Sequence, residues 1–288
     1  MKIPTLLLCC ALPFAYASRL LADGMDDVKK QAENGDKSAQ VVLGLAYATG
    51  KGVTKDNAKA FELFQKAAVQ GHYWAEYQVG VCYVTGEGVP RDYAKAFEWF
   101  QKSATKGNPD SQTALGRLYG NGEGVPKDLS KSFEWMQKAA VHGTAEAQLS
   151  LGRMYGNATG APQDDTKAFE WFQKAAEQGN AEAQALLGIF YMTGRGVPKN
   201  DAKAFEWNQK AAAQGDVKGQ FNLAVMYANG DGAPRDFVRA VAWLNLAAAQ
   251  EHDGAKKMRG EIERLMTPAQ IAQAKKLSAE LFAKMPKK

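Results

Sequence analysis

Apolar residues recur along this chain at helical spacing, and the helical runs recur in turn every 36 residues. Gly44, Gly80, Gly116, Gly152 and Gly188 share one register, and so do Tyr47, Tyr83, Tyr119, Tyr155, Tyr191 and Tyr227. A third register holds Gly52, Gly88, Gly124, Gly160, Gly196 and Gly232. A period of this length marks a stacked array, in which no unit buries its apolar face alone and neighbours complete the core. In the unit from Asp36 to Gly71 the pattern predicts a first helix over about 37–48, with Leu43, Gly44 and Tyr47 on one face. It predicts a second helix over about 57–69, with Ala60, Leu63, Ala67 and Ala68 on one face.

Helix ends are written into the same register. Asp36, Asn108, Thr144, Asn180 and Asp216 are side chains that accept from the free amides of a first turn, and His72 stands as the exception. Asp56, Asp92, Asp128, Asp164, Asn200 and Asp236 are placed to cap the second helices. The paired glycines of each intervening loop allow positive φ, and Gly71 closes the second helix. Phe61, Phe97, Phe133, Phe169 and Phe205 are expected to fill the space between pairs. Trp99, Trp135, Trp171, Trp207 and Trp243 recur once per repeat, which suits core better than a ligand platform. Glu62/Lys66 and its four later copies read as i,i+4 ion pairs on a solvated outer face.

Composition changes the picture little. The chain is 45% hydrophobic and 23% charged, the balance of a folded protein. The unbroken register from Asp36 to Glu251 argues for one elongated domain. The first residues read as a secretion signal: Lys2 is followed by a mostly apolar run to Tyr16, and Ala15-Tyr16-Ala17 predicts cleavage after Ala17. Residues 1–17 are thus assigned as signal, 18–35 as an N-terminal capping helix, 36–251 as six repeats, and 252–288 as C-terminal capping helices with a basic tail. A periplasmic or secreted protein is expected, with no membrane-spanning segment in the mature chain. Cys9 and Cys10 follow no lipidation pattern and would leave with the signal, so Cys82 remains alone and is read as a small core residue. The net charge of +5 carries no basic stripe interleaved with aromatics, which excludes nucleic acid as the natural partner.

The run Ala75-x6-Cys82-Tyr83-x2-Gly86-x-Gly88-Val89-x2-Asp92-x2-Lys95-Ala96-x2-Trp99-x2-Lys102-x-Ala104-x2-Gly107 resembles the Sel-1-like repeat, a relative of the tetratricopeptide repeat. Departures are Ala158 at a loop glycine, Ala224 at the first-helix glycine and Glu251 at the closing glycine. The resemblance implies an all-α fold, a right-handed α-α superhelix of six 36-residue helix pairs with capping helices at both ends. It also implies a scaffold or adaptor that holds a protein partner, such as an envelope protein. Some members of this type resemble immunity proteins that neutralise phospholipase effectors of type VI secretion, which makes a toxin the alternative partner.

No catalytic constellation, metal site or cofactor site emerges. His72, His142 and His252 are scattered, and the paired glycines join two helices with no Walker lysine. Ser103 and Lys106 match an S-x-x-K tetrad without its partner motifs, so a β-lactam or cell-wall hydrolase ranks last. Asp164 and Asp165 form a carboxylate pair that could take a cation, but Asp164 is already the repeat's cap residue.

A ligand face is expected where copies vary on a fixed scaffold. One step round the first helix from its core stripe lie the columns of Val41, Leu45 and Ala48, which by analogy with tetratricopeptide arrays line the concave groove. With two aromatics at the head of one helix, the expected groove residues are Tyr73, Trp74, Tyr77, Val81, Thr113, Arg117, Leu149, Arg153, Ile189, Met192, Phe221 and Val225. The apolar members suit a protein segment, and Arg117 and Arg153 suit a carboxylate on it. The competing reading is that these residues pack against the next pair.

Overall fold

The computed structural model describes residues 24–286, so the expected signal sequence, its expected cleavage point and Cys9 and Cys10 lie outside the described residues. Every element among the described residues is a helix. In chain order these are α1 (Gly24–Glu33), α2 (Lys37–Thr49), α3 (Asn57–Val69), α4 (Tyr73–Thr85), α5 (Tyr93–Thr105), α6 (Pro109–Asn121), α7 (Leu129–Val141), α8 (Ala145–Gly156), α9 (Asp165–Glu177), α10 (Ala181–Thr193), α11 (Asp201–Ala213), α12 (Val217–Asn229), α13 (Phe237–Ala249), α14 (Asp253–Glu263) and α15 (Pro268–Lys284). They gather into two compact units, one ending at Ala139 and the other starting at Ala140.

The caps form largely as their side chains dictate. The amides of Ala39, Ser111, Ala183 and Gly219 donate to Asp36, Asn108, Asn180 and Asp216 at 2.6, 2.7, 2.9 and 2.7 Å. Two expectations need correction. Thr144 makes no cap hydrogen bond and its buried Oγ1 is unpartnered. His72 does cap, its Nδ1 accepting from the Ala75 amide at 3.4 Å, and His252 does the same for Ala255 at 3.1 Å. At the second helices, Asp56, Asp92 and Asp164 accept from the third amide of their helix, which holds each carboxyl below its usual range.

Packing explains the repeating residues. A Cβ on Gly80 would stand 2.5 Å from the Phe100 ring, one on Gly44 2.7 Å from Phe64 and one on Gly188 2.3 Å from Asn208, so the first helix takes glycine where its partner's side chain leaves no room for a Cβ. In the last copy these two columns hold Ala224 and Leu244, and both are fully buried. Phe61, Phe97, Phe169 and Phe205 meet the tyrosine of the following pair edge-on, with ring centroids 5.1–5.5 Å apart. Ala158 and Glu251 keep the positive φ of the glycines they replace, at 54° and 64°. Cys82 is buried, and burial pushes its thiol up to about 12, so it stays a neutral core group.

The outer face differs from its expected ion pairs. Lys102, Lys138, Lys174 and Lys210 lie over Trp99, Trp135, Trp171 and Trp207, 4.0–4.2 Å from the ring centroids. These tryptophans are half-buried, and the lysine lids complete their cover, whereas Trp243 in the same column is buried.

One feature of the interior is polar. Gln40, Glu76, Gln112, Gln148, Gln184 and Gln220 occupy a single buried column. Gln70, Gln178, Gln214 and Gln250, each just past a second helix, donate to Gln40, Gln148, Gln184 and Gln220 at 2.7–3.0 Å. Gln40, Gln148 and Gln184 in turn donate to the carbonyls of Ala32, Ala140 and Ala176 at the end of the preceding pair. In one copy the amide pair becomes an ion pair, Lys106 Nζ to Glu76 Oε1 at 2.6 Å.

Candidate functional face on the first helices

The twelve expected groove residues fall in both units, and each unit treats them differently. In the first unit Trp74, Tyr77, Val81 and Thr113 are buried. Trp74 meets Phe64 edge-on at 6.2 Å, Tyr77 tilts against Phe100 at 5.8 Å, and the Thr113 hydroxyl donates to the Pro109 carbonyl at 2.9 Å. These side chains pack within the unit. Tyr73 is 45% exposed and lies parallel to His72, and Arg117 is half-buried and not free of partners.

In the second unit Leu149 is buried, Arg153 exposed, and Ile189, Met192, Phe221 and Val225 half-buried. Arg153 already holds a carboxylate: its Nη2 pairs with Glu182, which Lys218 Nζ approaches to 3.7 Å. Phe221 stacks on His252 with centroids 4.5 Å apart. Met192 accepts weakly from Asn208 Nδ2 at 3.7 Å. Asn208 is itself fully buried in the column that elsewhere holds Phe64, Phe100 and Phe172, and it donates to the Ala204 carbonyl at 3.0 Å and accepts from Asn222 at 3.2 Å. The result is a half-open apolar strip edged by the Arg153–Glu182–Lys218 row.

Glu182, Lys218 and Asn222 were missing from the expected site. Their columns begin at Ser38 and Val42, on the same side of the helix as Leu45. A signal was there to find, since after Trp74 the Ser38 column reads Asp110, Glu146, Glu182 and Lys218 in later copies.

The residues read for chemistry are otherwise engaged. Ser103 is fully buried and donates to the Tyr73 carbonyl at 2.7 Å, while Lys106 turns to Glu76 and the Gly71 carbonyl, so neither activates the other. Asp164 caps α9 and pairs with Lys167, and Asp165 pairs with Arg195 at 2.7 Å. Arg195 holds the Asp165 carboxyl below its usual range. Among the described residues no group of three or more His, Cys, Asp or Glu side chains could hold a metal ion, and no helix is long and apolar enough to cross a membrane.

The family model described as "Sel1 repeat" matches six times, at residues 37–72, 75–108, 109–143, 145–180, 181–216 and 217–252. Among solved structures, a protective antigen present in uropathogenic Escherichia coli strains, displaying an SLR fold, is 38% identical over 89% of this chain, with a TM-score of 0.80. The match covers 56% of the antigen, so this chain spans little more than half its length. A Sel1 repeat protein from Oxalobacter formigenes is 30% identical over 82% of this chain and 99% of that one, with a TM-score of 0.73. An immunity protein from Pseudomonas aeruginosa is 23% identical over 79% of this chain and 82% of that one, at a TM-score of 0.45, too distant to bear on function. No curated protein matches the chain.

Proposed function

Since this chain belongs to the Sel1 repeat family, we propose that it is an exported, non-catalytic scaffold that holds a protein partner on the first-helix face of its second unit. The observation that carries this reading is the half-buried strip of Ile189, Met192, Phe221 and Val225 beside Arg153, Glu182 and Lys218. Apolar anchors with a charged border are the composition of a protein interface. An acidic side chain on the partner would compete with Glu182 for the two cations.

Capture of a partner by the full chain, followed by titration, tests the face. Arg153→Glu places two carboxylates together and is expected to weaken binding by roughly 2–5 kcal/mol. Lys174→Glu, on the outer face, is expected to stay within about 0.5 kcal/mol. Melting curves run alongside separate lost binding from lost fold. If Lys174→Glu abolishes binding and Arg153→Glu does not, the partner sits elsewhere.

Export is tested separately. N-terminal sequencing of protein from periplasm or medium is expected to start at Ser18, and full-length chain recovered only from cytosol overturns it.

A further inference from the structure

His72 caps α4 in a place where other copies use Asp36, Asn108, Asn180 or Asp216. Those side chains keep their acceptor at any pH between about 5 and 8, whereas an imidazole loses it on protonation. The ring is 7% exposed and lies parallel to Tyr73, with centroids 5.9 Å apart. One turn along the same helix, Glu76 is 3% exposed. Its Oε1 accepts from Lys106, but its buried Oε2 has no hydrogen-bond partner. The other charged groups that face His72 are Asp36 and Lys37 at the head of α2. Lys106, from the end of α5, reaches the same corner through Glu76 and the Gly71 carbonyl, 3.1 Å away.

We propose that His72 is a pH-responsive latch at the junction of the first and second helix pairs: neutral, its Nδ1 caps α4, and protonated, it gives up the cap and turns to the unpartnered Oε2 of Glu76. The imidazolium has only donors, so the Ala75 amide loses its acceptor. A positive charge at a helix N-terminus also opposes the helix dipole. The same charge supplies what Glu76 Oε2 lacks, a buried donor with opposite sign. Two arrangements therefore exist for one side chain, and the proton selects between them. The exposed Tyr73, stacked on the ring, moves with the first turn of α4.

Burial and the nearby Lys37 ammonium hold His72 below its ordinary value of 6.5. The unfolded chain therefore binds the proton more readily. Stability supplied by the neutral cap is complete above about 6.5 and is lost as pH falls from there through the lowered folded value. This inference stands whether or not a partner occupies the first-helix face.

Hydrogen exchange of the Ala75 amide in the full chain tests it, corrected for intrinsic exchange. Protection in the wild type is expected to fall roughly fivefold between about pH 7.5 and about pH 5, the size of effect that losing one cap hydrogen bond produces. His72→Asn installs the cap used at Asn108 and Asn180 and is expected to hold its protection over the same range. Imidazole NMR then reads the His72 midpoint, which Glu76→Gln is expected to move downward by removing the attracting carboxylate. Wild-type protection that ignores pH, an equal loss in His72→Asn, or a midpoint that Glu76→Gln leaves in place each overturns the latch.

Discussion

Gly88→Ala is expected to destabilise the first unit by about 3 kcal/mol or more, the sum of a left-handed residue with a Cβ and an overpacked contact. Gly88 has φ of 76°, and a Cβ there would fall on the Asn57 carbonyl, 2.7 Å from its carbon. That neighbour is backbone at the start of α3, held by the Asp56 cap, and has nowhere to retreat. Gly107 is the control. Its φ is 87°, but nothing lies within 4 Å of its would-be Cβ. Gly107→Ala is therefore expected to cost only the conformational part, about 1–2 kcal/mol. Urea titrations of the three proteins check the difference, read by exchange at α3 and α4 because repeat arrays can unfold in parts. Equal losses at the two glycines would show that close stacking of loop on helix contributes nothing.

Lys106→Met is expected to cost about 2 kcal/mol. Removing one partner of a fully buried ion pair costs more, about 3–5 kcal/mol. The Lys106 side chain is 41% exposed, however, so water screens part of the effect. What remains is the Glu76 carboxylate, 4% exposed, with Oε1 newly unpaired beside an already unpaired Oε2. The double variant Glu76→Gln with Lys106→Gln rebuilds the amide pair of the neighbouring copies and is expected to return to within about 1 kcal/mol of wild type. Thermal and urea melts of the single and double variants measure this. A double variant as unstable as Lys106→Met would mean that the buried column tolerates only an ion pair at this junction.

The two substitutions probe different origins of the fold. The glycine registers, the cap residues and the apolar stripes are local requirements, each satisfied within one helix or loop, so they stand in the sequence at a constant spacing. Helix boundaries in α2 and α3 follow from them to within a residue, as do the positive φ angles at Gly50, Gly52 and Gly71. The place of the phenylalanines between pairs was legible for the same reason, because a 36-residue period carries each residue to an equivalent neighbour; their edge-on contact with the tyrosines was not.

Contacts that depend on which group arrives from another helix were not legible. Trp99 and Glu98 compete for the same lysine, and only the packed outer face gives Lys102 to the tryptophan. His72 is a poor cap by type, yet a buried ring beside Tyr73 leaves its Nδ1 facing the Ala75 amide. The buried glutamine column carries no local signal, since a lone glutamine gives no sign of burial until its partner thirty residues on closes over it. The candidate face divides along the same line. Variation among copies marked the columns of Tyr77 and Arg153, but the sequence could not say that Tyr77 is spent on Phe100 or that Glu182 already holds Arg153. The sequence by itself determined the repeat, its helices and its caps, because those rest on spacing along one chain. Only the tertiary structure decided which side chains are satisfied inside and which stay open to a partner, because that depends on distances between helices that no local pattern encodes.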